Sequence, residues 1–598
     1  MKFDFKIFQE KVIGCYLGKC VGGTLGMKYE GNLNYNEVTY YDPVPDTMQP
    51  NDDLDLQVVN LESVLRNGLP VNRYHLGEMW KYHMVDQAPD EYSPAISNHA
   101  LKVYAPLSGY FRNKFTAGMG GAIRSELWAC LAPANPTLAM WLAREDACMD
   151  HVGDGVFAEM FLAALESQAF VEKDVLTMIN RSLDYINVRC RFKNAVKDVI
   201  KWWKTIGDVK VIREKVIKAY GSKNWTDVAV NISFIVLSLL ASEGSFDKAI
   251  CTAVSLGYDA DCTAATVGAI YGILDPSSIG EKWTKPIGDK LVLSTGVINM
   301  HNVDTVTEFC QTIISLSKEF QDFYATEVEI DYPENLKNIK LAKSWSKNPL
   351  IVFDWRQGAK ESLISVKPIF LTLIYPETVS AMVGKKNVYG LKMTNTLEDD
   401  VTVSASFNLP YGWTLESEGL EIKLKPGQSE VLPFTVFVKN QPKRASLNLL
   451  TISVQINGLS YEVDAGLPVS NPWLVEDLNT GEKQIFEAES SYFTVPKGGY
   501  KYTAKFISQA DRRIKLPLGG TRPFTVYLNG EKVFENDTSY YIPAMHRGGR
   551  TEVDVKRGEN IIDVIFDDGA TGEFFLAFGT KEGCGEWIDS MERCEIDL

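Results

Sequence analysis

Apolar residues recur at intervals of three and four over residues 5–342, which is the spacing of amphipathic helices. The stretches LDLQVVNLESVLR and GVFAEMFLAALE show this period clearly. Turn-forming clusters such as LAPANPT, AYGSKNWTD and LDPSSIG interrupt it and separate one helix from the next. The pattern predicts an all-α domain over residues 1–345.

After residue 349 the period changes to two, in short runs such as VTVSASFNLP, VLPFTVFVKN and LLTISVQING between Gly, Pro and Asn turns. This pattern predicts an antiparallel β-sandwich over residues 350–470, and its sequence resembles that of immunoglobulin-like modules. Residues 471–482 are predicted to be a linker. Similar short apolar runs return in TVYLNGEKVFE and NIIDVIF, which predicts a second β-sandwich over residues 483–598, and its sequence is similar to that of carbohydrate-binding modules.

Composition narrows the class of protein. With 598 residues, 45% hydrophobic and 23% charged, the chain is long enough for several ordinary globular domains. The net charge of −16, from 61 Lys+Arg and 77 Asp+Glu, disfavours a nucleic-acid partner because it repels phosphates. The longest apolar stretch, residues 232–241, is too short to cross a membrane. The start MKFDFKIFQEKVIGCYLG lacks the pattern of a signal peptide, so we expect a cytoplasmic protein, with a periplasmic or secreted location as the alternative if the natural chain begins earlier.

Two acidic clusters each precede a helix. Asn51-Asp52-Asp53 stands before LDLQVVNLESVLR, and Gly257 to Asp261 stands before CTAATVGAIYGILD, whose small residues allow close helix packing. Each cluster alone is typical of helix capping, since a carboxylate satisfies free N–H groups and complements the helix dipole.

Taken together, the clusters also predict a metal site. Adjacent carboxylates repel one another unless a cation neutralises them, and Mg²⁺ or Mn²⁺ prefers several oxygen ligands. Two such helix ends that face each other would supply those oxygens.

Five ordered motifs over residues 5–325 resemble the ADP-ribosylglycohydrolase family, helical hydrolases that remove ADP-ribose with two magnesium or manganese ions. They are listed here in chain order: GCYLGKCVGGTLGMKYEG, ending at Glu30; Asn51-Asp52-Asp53; GMGGAIR; HVGDGVFAEMF; and GYDADC, ending at Cys262.

The resemblance implies a role for each matched residue. Glu30, Asp52 and Asp261 are expected to be catalytic. Expected substrate contacts are His151, Gly153, Asp154, Gly120 and Gly121. The expected ligands of one or two Mg²⁺ or Mn²⁺ ions are Asn51, Asp52, Asp53, Asp259, Asp261 and Cys262. Two partners remain open for Arg124, either Glu126 or a phosphate.

This sequence also departs from the family pattern. Asn51 stands where the family has a threonine, and Cys262 replaces a closing threonine that offers a hard oxygen ligand. Thr263 comes one residue later, which turns its side chain about 100° around the helix. These changes predict that one ion is weaker or absent and that the substrate differs.

The resemblance therefore implies a divalent-metal-dependent hydrolase of a glycosidic bond acting on a small-molecule or oligosaccharide substrate. The sandwiches favour a sugar glycoside related to ribosyl substrates. Two alternatives stay open: a hydrolase of ADP-ribosyl proteins or ADP-ribosyl small molecules, and a catalytically silent glycan-binding or scaffold protein. The oligomeric state does not follow from the sequence.

Overall fold

The computed structural model describes most of the 598-residue chain. The described residues are 2–84, 91–222, 224–301, 303–324, 326, 328–334, 336, 339–343, 358–416, 419–440, 443–445, 448–489, 492–537, 550–579 and 592–594. The predicted boundaries at residues 345 and 350 lie outside these ranges.

Helices dominate the first half of the chain, as the period of three and four predicts. They are α1 (Phe5–Gly26), α2 (Asp52–Asn67), α3 (Arg73–His83), α4 (Ser93–Ala100), α5 (Leu107–Tyr110), α6 (Ser125–Leu131), α7 (Pro136–Ala147), α8 (Asp154–Ala169), α9 (Val175–Tyr185), α10 (Arg191–Thr205), α11 (Val209–Tyr220), α12 (Val228–Ala241), α13 (Phe246–Ser255), α14 (Ala260–Leu274), α15 (Glu281–Ile287) and α16 (Val306–Tyr324). Short 3₁₀ turns occupy Met27–Tyr29, Ala122–Arg124 and Pro276–Ser278.

Strands dominate the second half, and a two-residue strand near the start of the chain, Lys2–Phe3, pairs in parallel with Glu329–Ile330. They are β1 (Lys2–Phe3), β2 (Glu329–Ile330), β3 (Glu361–Ser365), β4 (Phe370–Ile374), β5 (Lys386–Thr394), β6 (Val401–Asn408), β7 (Trp413–Leu415), β8 (Leu420–Leu424), β9 (Ser429–Val438), β10 (Lys443–Arg444), β11 (Leu449–Ile456), β12 (Leu459–Gly466), β13 (Asn471–Asp477), β14 (Lys483–Ala488), β15 (Tyr492–Val495), β16 (Tyr500–Ser508), β17 (Arg512–Gly520), β18 (Phe524–Leu528), β19 (Glu531–Asn536), β20 (Arg550–Val555), β21 (Gly558–Phe566), β22 (Gly572–Leu576) and β23 (Glu592–Cys594). The predicted fold class, an all-α domain followed by β-sandwiches, is confirmed.

The chain forms two compact units, and neither is one continuous segment. The first comprises Met1–Met84 and Phe115–Ser344, and the second comprises Val85–Lys114 and Trp345–Leu598. The predicted domain 1–345 does not account for the assignment of Val85–Lys114 to the second unit. Hydrogen bonds explain it: Leu363 N–H donates to the Ala105 carbonyl at 3.0 Å, and Gly466 N–H donates to the Lys102 carbonyl at 2.9 Å.

Two pairs of antiparallel sheets build the second unit. The first pair has the strand orders β3-β4-β5-β9-β7 and β12-β11-β6-β8, and Phe407 stacks on Phe434 across it with ring centroids 4.3 Å apart. In the second pair β16, β21, β18 and β19 are neighbours in one sheet, and β15, β22, β17 and β20 are neighbours in the other. Phe566 and Phe574 meet edge to face between these sheets at 5.2 Å.

The predicted linker at residues 471–482 is wrong. Strand β13 occupies Asn471–Asp477 and pairs with both β14 and β16. Residues 478–482 form the turn of the β13–β14 hairpin, in which Gly481 N–H donates to the Asp477 carbonyl. The polar character of this stretch reflects a hairpin turn at the sheet edge.

Helix α1 is the central helix of the first unit, and it packs most extensively on α14. Both helices are buried over nearly their whole length. No helix among the described residues is both long and apolar enough to cross a membrane.

Candidate metal centre

A row of glycines brings the backbones of α1 and α14 into direct contact. A Cβ atom added to Gly18 would lie 2.0 Å from the carbonyl oxygen of Gly268, and one added to Gly14 would lie 2.4 Å from that of Gly272. At the end of α1, a Cβ atom on Gly26 would lie 2.3 Å from Cα of Asp261. The two helices are therefore antiparallel, and the end of α1 meets the acidic start of α14.

Helix α2 joins the same point through its N-cap. The Asn51 side-chain oxygen accepts a hydrogen bond from Asp53 N–H at 2.7 Å, and its Nδ2 donates to Asp261 Oδ2 at 3.2 Å. A Cβ atom on Gly23 would lie 3.1 Å from Asn51 Nδ2, so a glycine of α1 makes room for this amide. One asparagine thus joins the starts of α2 and α14 against α1.

The result is a buried cluster of possible metal ligands. One ligand atom from each of Asp53, Asp261 and Cys262 lies within 4.8 Å of the others. Asp53 Oδ2 and Asp261 Oδ1 are buried and accept no hydrogen bond from the described residues. Because a bare buried carboxylate oxygen is costly, the two aspartates fit a divalent cation. The Cys262 thiol suits a hard cation poorly.

Burial and mutual repulsion raise the pKa values of the acidic side chains in the cluster. Burial raises the pKa of Asp53 to about 7, although the nearby Lys19 ammonium opposes the change. Burial, followed by the charges of Glu30 and Asp53, raises the pKa of Asp261 well above its usual range. Burial and the charge of Asp259 raise the pKa of the Cys262 thiol. A bound cation would relieve this repulsion.

The other predicted ligands and Glu30 surround the cluster. Glu30 follows the 3₁₀ turn Met27–Tyr29 and is half-buried, and Asp52 is the half-buried first residue of α2. Asp259 takes the N-cap position of α14, and its own N–H donates to Asn231 Oδ1 at 3.2 Å. Thr263 donates to the Ala260 carbonyl at 3.2 Å, so its hydroxyl stays on its own helix and does not replace Cys262.

Sequence reasoning missed a buried polar network behind Asp53. Lys19, which is 1% exposed, lies 2.9 Å from Glu126 Oε1 and 3.5 Å from Asp53 Oδ1. Gln57 Nε2 donates to Glu126 Oε2 at 2.8 Å, and Tyr16 donates to Gln57 Oε1 at 2.9 Å. The sequence did hold a signal: Lys19 is a lone charge within GCYLGKCVGGTLG, and a lysine on a glycine-rich packing helix requires a buried partner.

The predicted substrate residues Gly121 and His151 meet in a neighbouring region. His151 is fully buried, with Nδ1 2.8 Å from Asp150 Oδ1. A Cβ atom on Gly121 would lie 3.3 Å from that same Nδ1. Two motifs 30 residues apart in the sequence therefore pack together.

The remaining predicted substrate residues have structural contacts. The Gly120 carbonyl accepts a hydrogen bond from Arg124. Gly153 has a positive φ of +56° directly before α8, a conformation that favours glycine. Both Asp154 oxygens accept from Arg191 N–H at 3.1 Å, so this residue caps the start of α10.

Arg124 does not pair with Glu126, the protein partner expected for it. Its guanidinium contacts Asp146 at 2.9 Å and holds both oxygens of Asp150, and all three residues are fully buried. Burial opposes ionisation of Asp150, yet Arg124 and His151 lower its pKa to about 2. Glu126 pairs with Lys19 instead.

Comparison with known proteins supports the resemblance. The family model described as ADP-ribosylglycohydrolase matches residues 6–315, slightly more than half of the chain. The match supports a hydrolase of ADP-ribosyl-type glycosidic bonds, from a family that generally depends on divalent metals.

Individual relatives are distant. The chain is 26% identical over 300 residues to an uncharacterized protein of Archaeoglobus fulgidus, which covers 47% of this chain and 93% of that protein. A solved structure titled ADP-ribosylglycohydrolase-related protein complex is 18% identical, covers 52% of this chain and 98% of its own, and has a TM-score of 0.38. An anti-sigma factor domain-containing protein from Clostridium clariflavum is 11% identical, covers 33% of this chain and 85% of its own, and has a TM-score of 0.16.

Proposed function

Because the chain belongs to the ADP-ribosylglycohydrolase family, we propose that it is a divalent-metal-dependent hydrolase of a ribosyl-type glycosidic bond. One observation carries the metal dependence. Asp53 and Asp261 reach the same buried point from two helix starts, and each keeps one carboxylate oxygen without a hydrogen bond from the described residues. We assign Asp53 and Asp261 as the principal ligands of Mg²⁺ or Mn²⁺, with Asp52 and Asp259 supporting them.

Asn51 orients this ligand set and does not itself bind the ion. Its oxygen is committed to the cap of α2 and its nitrogen to Asp261. Cys262 lines the cluster as a neutral thiol. When bound, the cation supplies a Lewis acid that polarises sugar hydroxyls and makes a water more acidic.

The proton of the attacking water needs an acceptor at the rim of the cluster. Glu30 is half-buried there, and its charge acts directly on Asp261. We assign Glu30 as the general base, which accepts that proton at a carboxylate oxygen. Asp52, also half-buried at the rim, is positioned to bind a sugar hydroxyl.

The substrate proposal has two forms. A simple sugar glycoside is favoured because the buried cations Lys19 and Arg124 are already held by carboxylates and do not form a cradle for pyrophosphate. An ADP-ribosyl substrate is favoured by the family itself.

One panel of substrates separates these forms. Aryl ribosides and related aryl glycosides, ADP-ribosyl-arginine and ADP-ribosyl-serine peptides are incubated with the full chain and Mn²⁺, with and without EDTA. We expect release from an aryl glycoside that EDTA abolishes. Release from the ADP-ribosylated peptides alone would establish the second form.

The same panel is run on a test variant and a matched control variant. Asp261→Asn should remove activity, whereas Asp184→Asn, which changes an exposed carboxylate on α9, should retain it. No turnover of any substrate would contradict the enzymatic proposal and favour a silent binding protein. Turnover that survives EDTA and Asp261→Asn would contradict the metal.

A further inference from the structure

Lys19 places a fixed positive charge against the metal cluster. Its Nζ contacts three oxygens: Glu126 Oε1 at 2.9 Å, the Ile123 carbonyl at 3.0 Å and Asp53 Oδ1 at 3.5 Å. The three acceptors match the three N–H donors of an ammonium group. Lys19 is therefore held as a charged group inside the protein.

The surrounding network keeps this charge in place. Gln57 Nε2 holds the second oxygen of Glu126 at 2.8 Å and also donates to the Asp53 carbonyl at 3.0 Å. The glycine contacts between α1 and α14 leave the backbone of Lys19 no room to move away. The ammonium group is thus as rigid as the helices that carry it.

Asp53 divides its carboxylate between two environments. Oδ1 lies toward Lys19, and Oδ2 is the buried oxygen that accepts no hydrogen bond from the described residues. One oxygen thus has a cation already, and the other is available to the cluster with Asp261. A second divalent ion on the Oδ1 side would stand against the ammonium group and be repelled by it.

We propose that Lys19 serves as a built-in cation of the site, so that the cluster binds one divalent ion, through Asp53 Oδ2 and Asp261 Oδ1. The inference rests on the proposed metal dependence and adds the number of ions and the residue that sets it. Lys19 is a positioning residue, because it acts on the ion through Asp53.

The test is the number of Mn²⁺ ions bound per chain, measured by calorimetry and by electron paramagnetic resonance of free Mn²⁺. The full-length wild type should bind one. Lys19→Met should bind two, since Asp53 Oδ1 and Glu126 lose their cation. Lys11→Met is the matched control: Lys11 is a buried lysine on the same helix, and its Nζ donates to the backbone carbonyls of Ala169 and Ile273, so this variant should still bind one.

The double variant K19M/E126Q covers the case in which Lys19→Met does not fold. It replaces the ion pair by neutral groups, and we expect it to bind its first Mn²⁺ at least tenfold more tightly than wild type, because the repelling charge is gone. Two ions in the wild type, or a folded double variant with wild-type stoichiometry and affinity, would overturn the role of Lys19 alone. A wild type that binds no Mn²⁺ would overturn the proposed metal dependence as well.

Discussion

Asn51 Nδ2 donates a hydrogen bond to Asp261 Oδ2 at 3.2 Å across 210 positions of the sequence. The same side chain caps α2 through Asp53 N–H at 2.7 Å. One amide therefore fixes the distance between two aspartates that must act together. Its two functions are separable by substitution.

Substitutions of Asn51 should distinguish its role as the cap of α2 from its hydrogen bond to Asp261. Asn51→Ser keeps an oxygen for the cap and loses the donor to Asp261, whereas Asn51→Ala loses both. We expect the alanine variant to be less stable than the serine variant by about 1 kcal/mol and both to bind Mn²⁺ more weakly. Chemical denaturation and Mn²⁺ titration measure the two effects. Equal stability of the two variants would contradict the cap.

Removal of either aspartate should abolish Mn²⁺ binding, with opposite effects on the metal-free protein. Asp261→Asn removes a carboxylate surrounded by other acids, so its melting temperature without metal should rise by a few degrees. Asp53→Asn removes a partner of buried Lys19, so its melting temperature should fall. Calorimetry in EDTA checks both signs. A fall in both variants would show that repulsion in the cluster is unimportant.

A threonine at position 262 should improve the site for magnesium. Cys262→Thr places a hydroxyl oxygen among Asp53 and Asp261, and we expect Mg²⁺ to bind about tenfold more tightly. Cys262→Ala is the control, because it removes the thiol without adding an oxygen. Isothermal titration with Mg²⁺ compares the three proteins. An equal gain in the alanine variant would mean that the thiol only obstructs the ion.

Acidity should weaken metal binding below neutral pH. Since the pKa of Asp53 is raised to about 7 and that of Asp261 is also raised, protons compete with Mn²⁺ at both ligands, and affinity should fall at least roughly tenfold per pH unit below pH 7. In the metal-free protein, the effect of the Asp53 proton on folding stability runs the other way. The native state binds this proton more tightly than the unfolded state, so its contribution to stability is lost as pH rises through 7.

Asp55 provides a control for the pH profile. Burial raises its pKa to about 7 as well, but both its oxygens accept from Ser294 N–H and it lies outside the Asp53–Asp261–Cys262 cluster. Asp55→Asn should change how the free energy of unfolding depends on pH, and it should leave the pH dependence of Mn²⁺ affinity unchanged. A Mn²⁺ affinity that is flat between pH 5.5 and 8 would contradict the assignment of Asp53.

The glycine contact between α1 and α14 should tolerate no methyl group. In Gly18→Ala, Cβ would lie 2.0 Å from the Gly268 carbonyl oxygen, so the helices must separate. We expect a loss of about 3 kcal/mol from overpacking, only partly offset by the roughly 1 kcal/mol gained in helix propensity. Gly280→Ala, whose nearest neighbour would be Lys282 Cγ at 3.9 Å, should change stability little. Thermal unfolding of both variants tests the contact.

The sequence predicts the parts of this protein that repeat a local pattern. The period of apolar residues indicates the helices, and the small residues of α1 and α14 indicate their close packing. The two acidic motifs predict a metal site because adjacent carboxylates are unusual without a cation. These inferences need only residues that are near one another in the chain.

Long-range polar contacts were beyond such reasoning. Lys19 meets Glu126 across 107 positions, and Arg124 meets Asp150 across 26, where Glu126 was the nearer acid in sequence. Asp154 caps a helix other than its own. In each case the partner is decided by which helices pack together, and spacing along the chain does not contain that information.

The packing of residues 91–114 in the β-rich unit has a consequence for synthesis and for truncation. Lys102 accepts a hydrogen bond from Gly466, and Ala105 accepts one from Leu363. During synthesis, each of these partners is added more than 250 residues after the residue that it contacts. Tyr104 and Leu107, nearly fully buried in the finished protein, must wait for these partners. The first β-sandwich is therefore required by the segment that contains Lys102 and Ala105. A chain stopped at residue 345 would expose these apolar side chains, so the recombinant helical half should be prepared with at least the first sandwich attached.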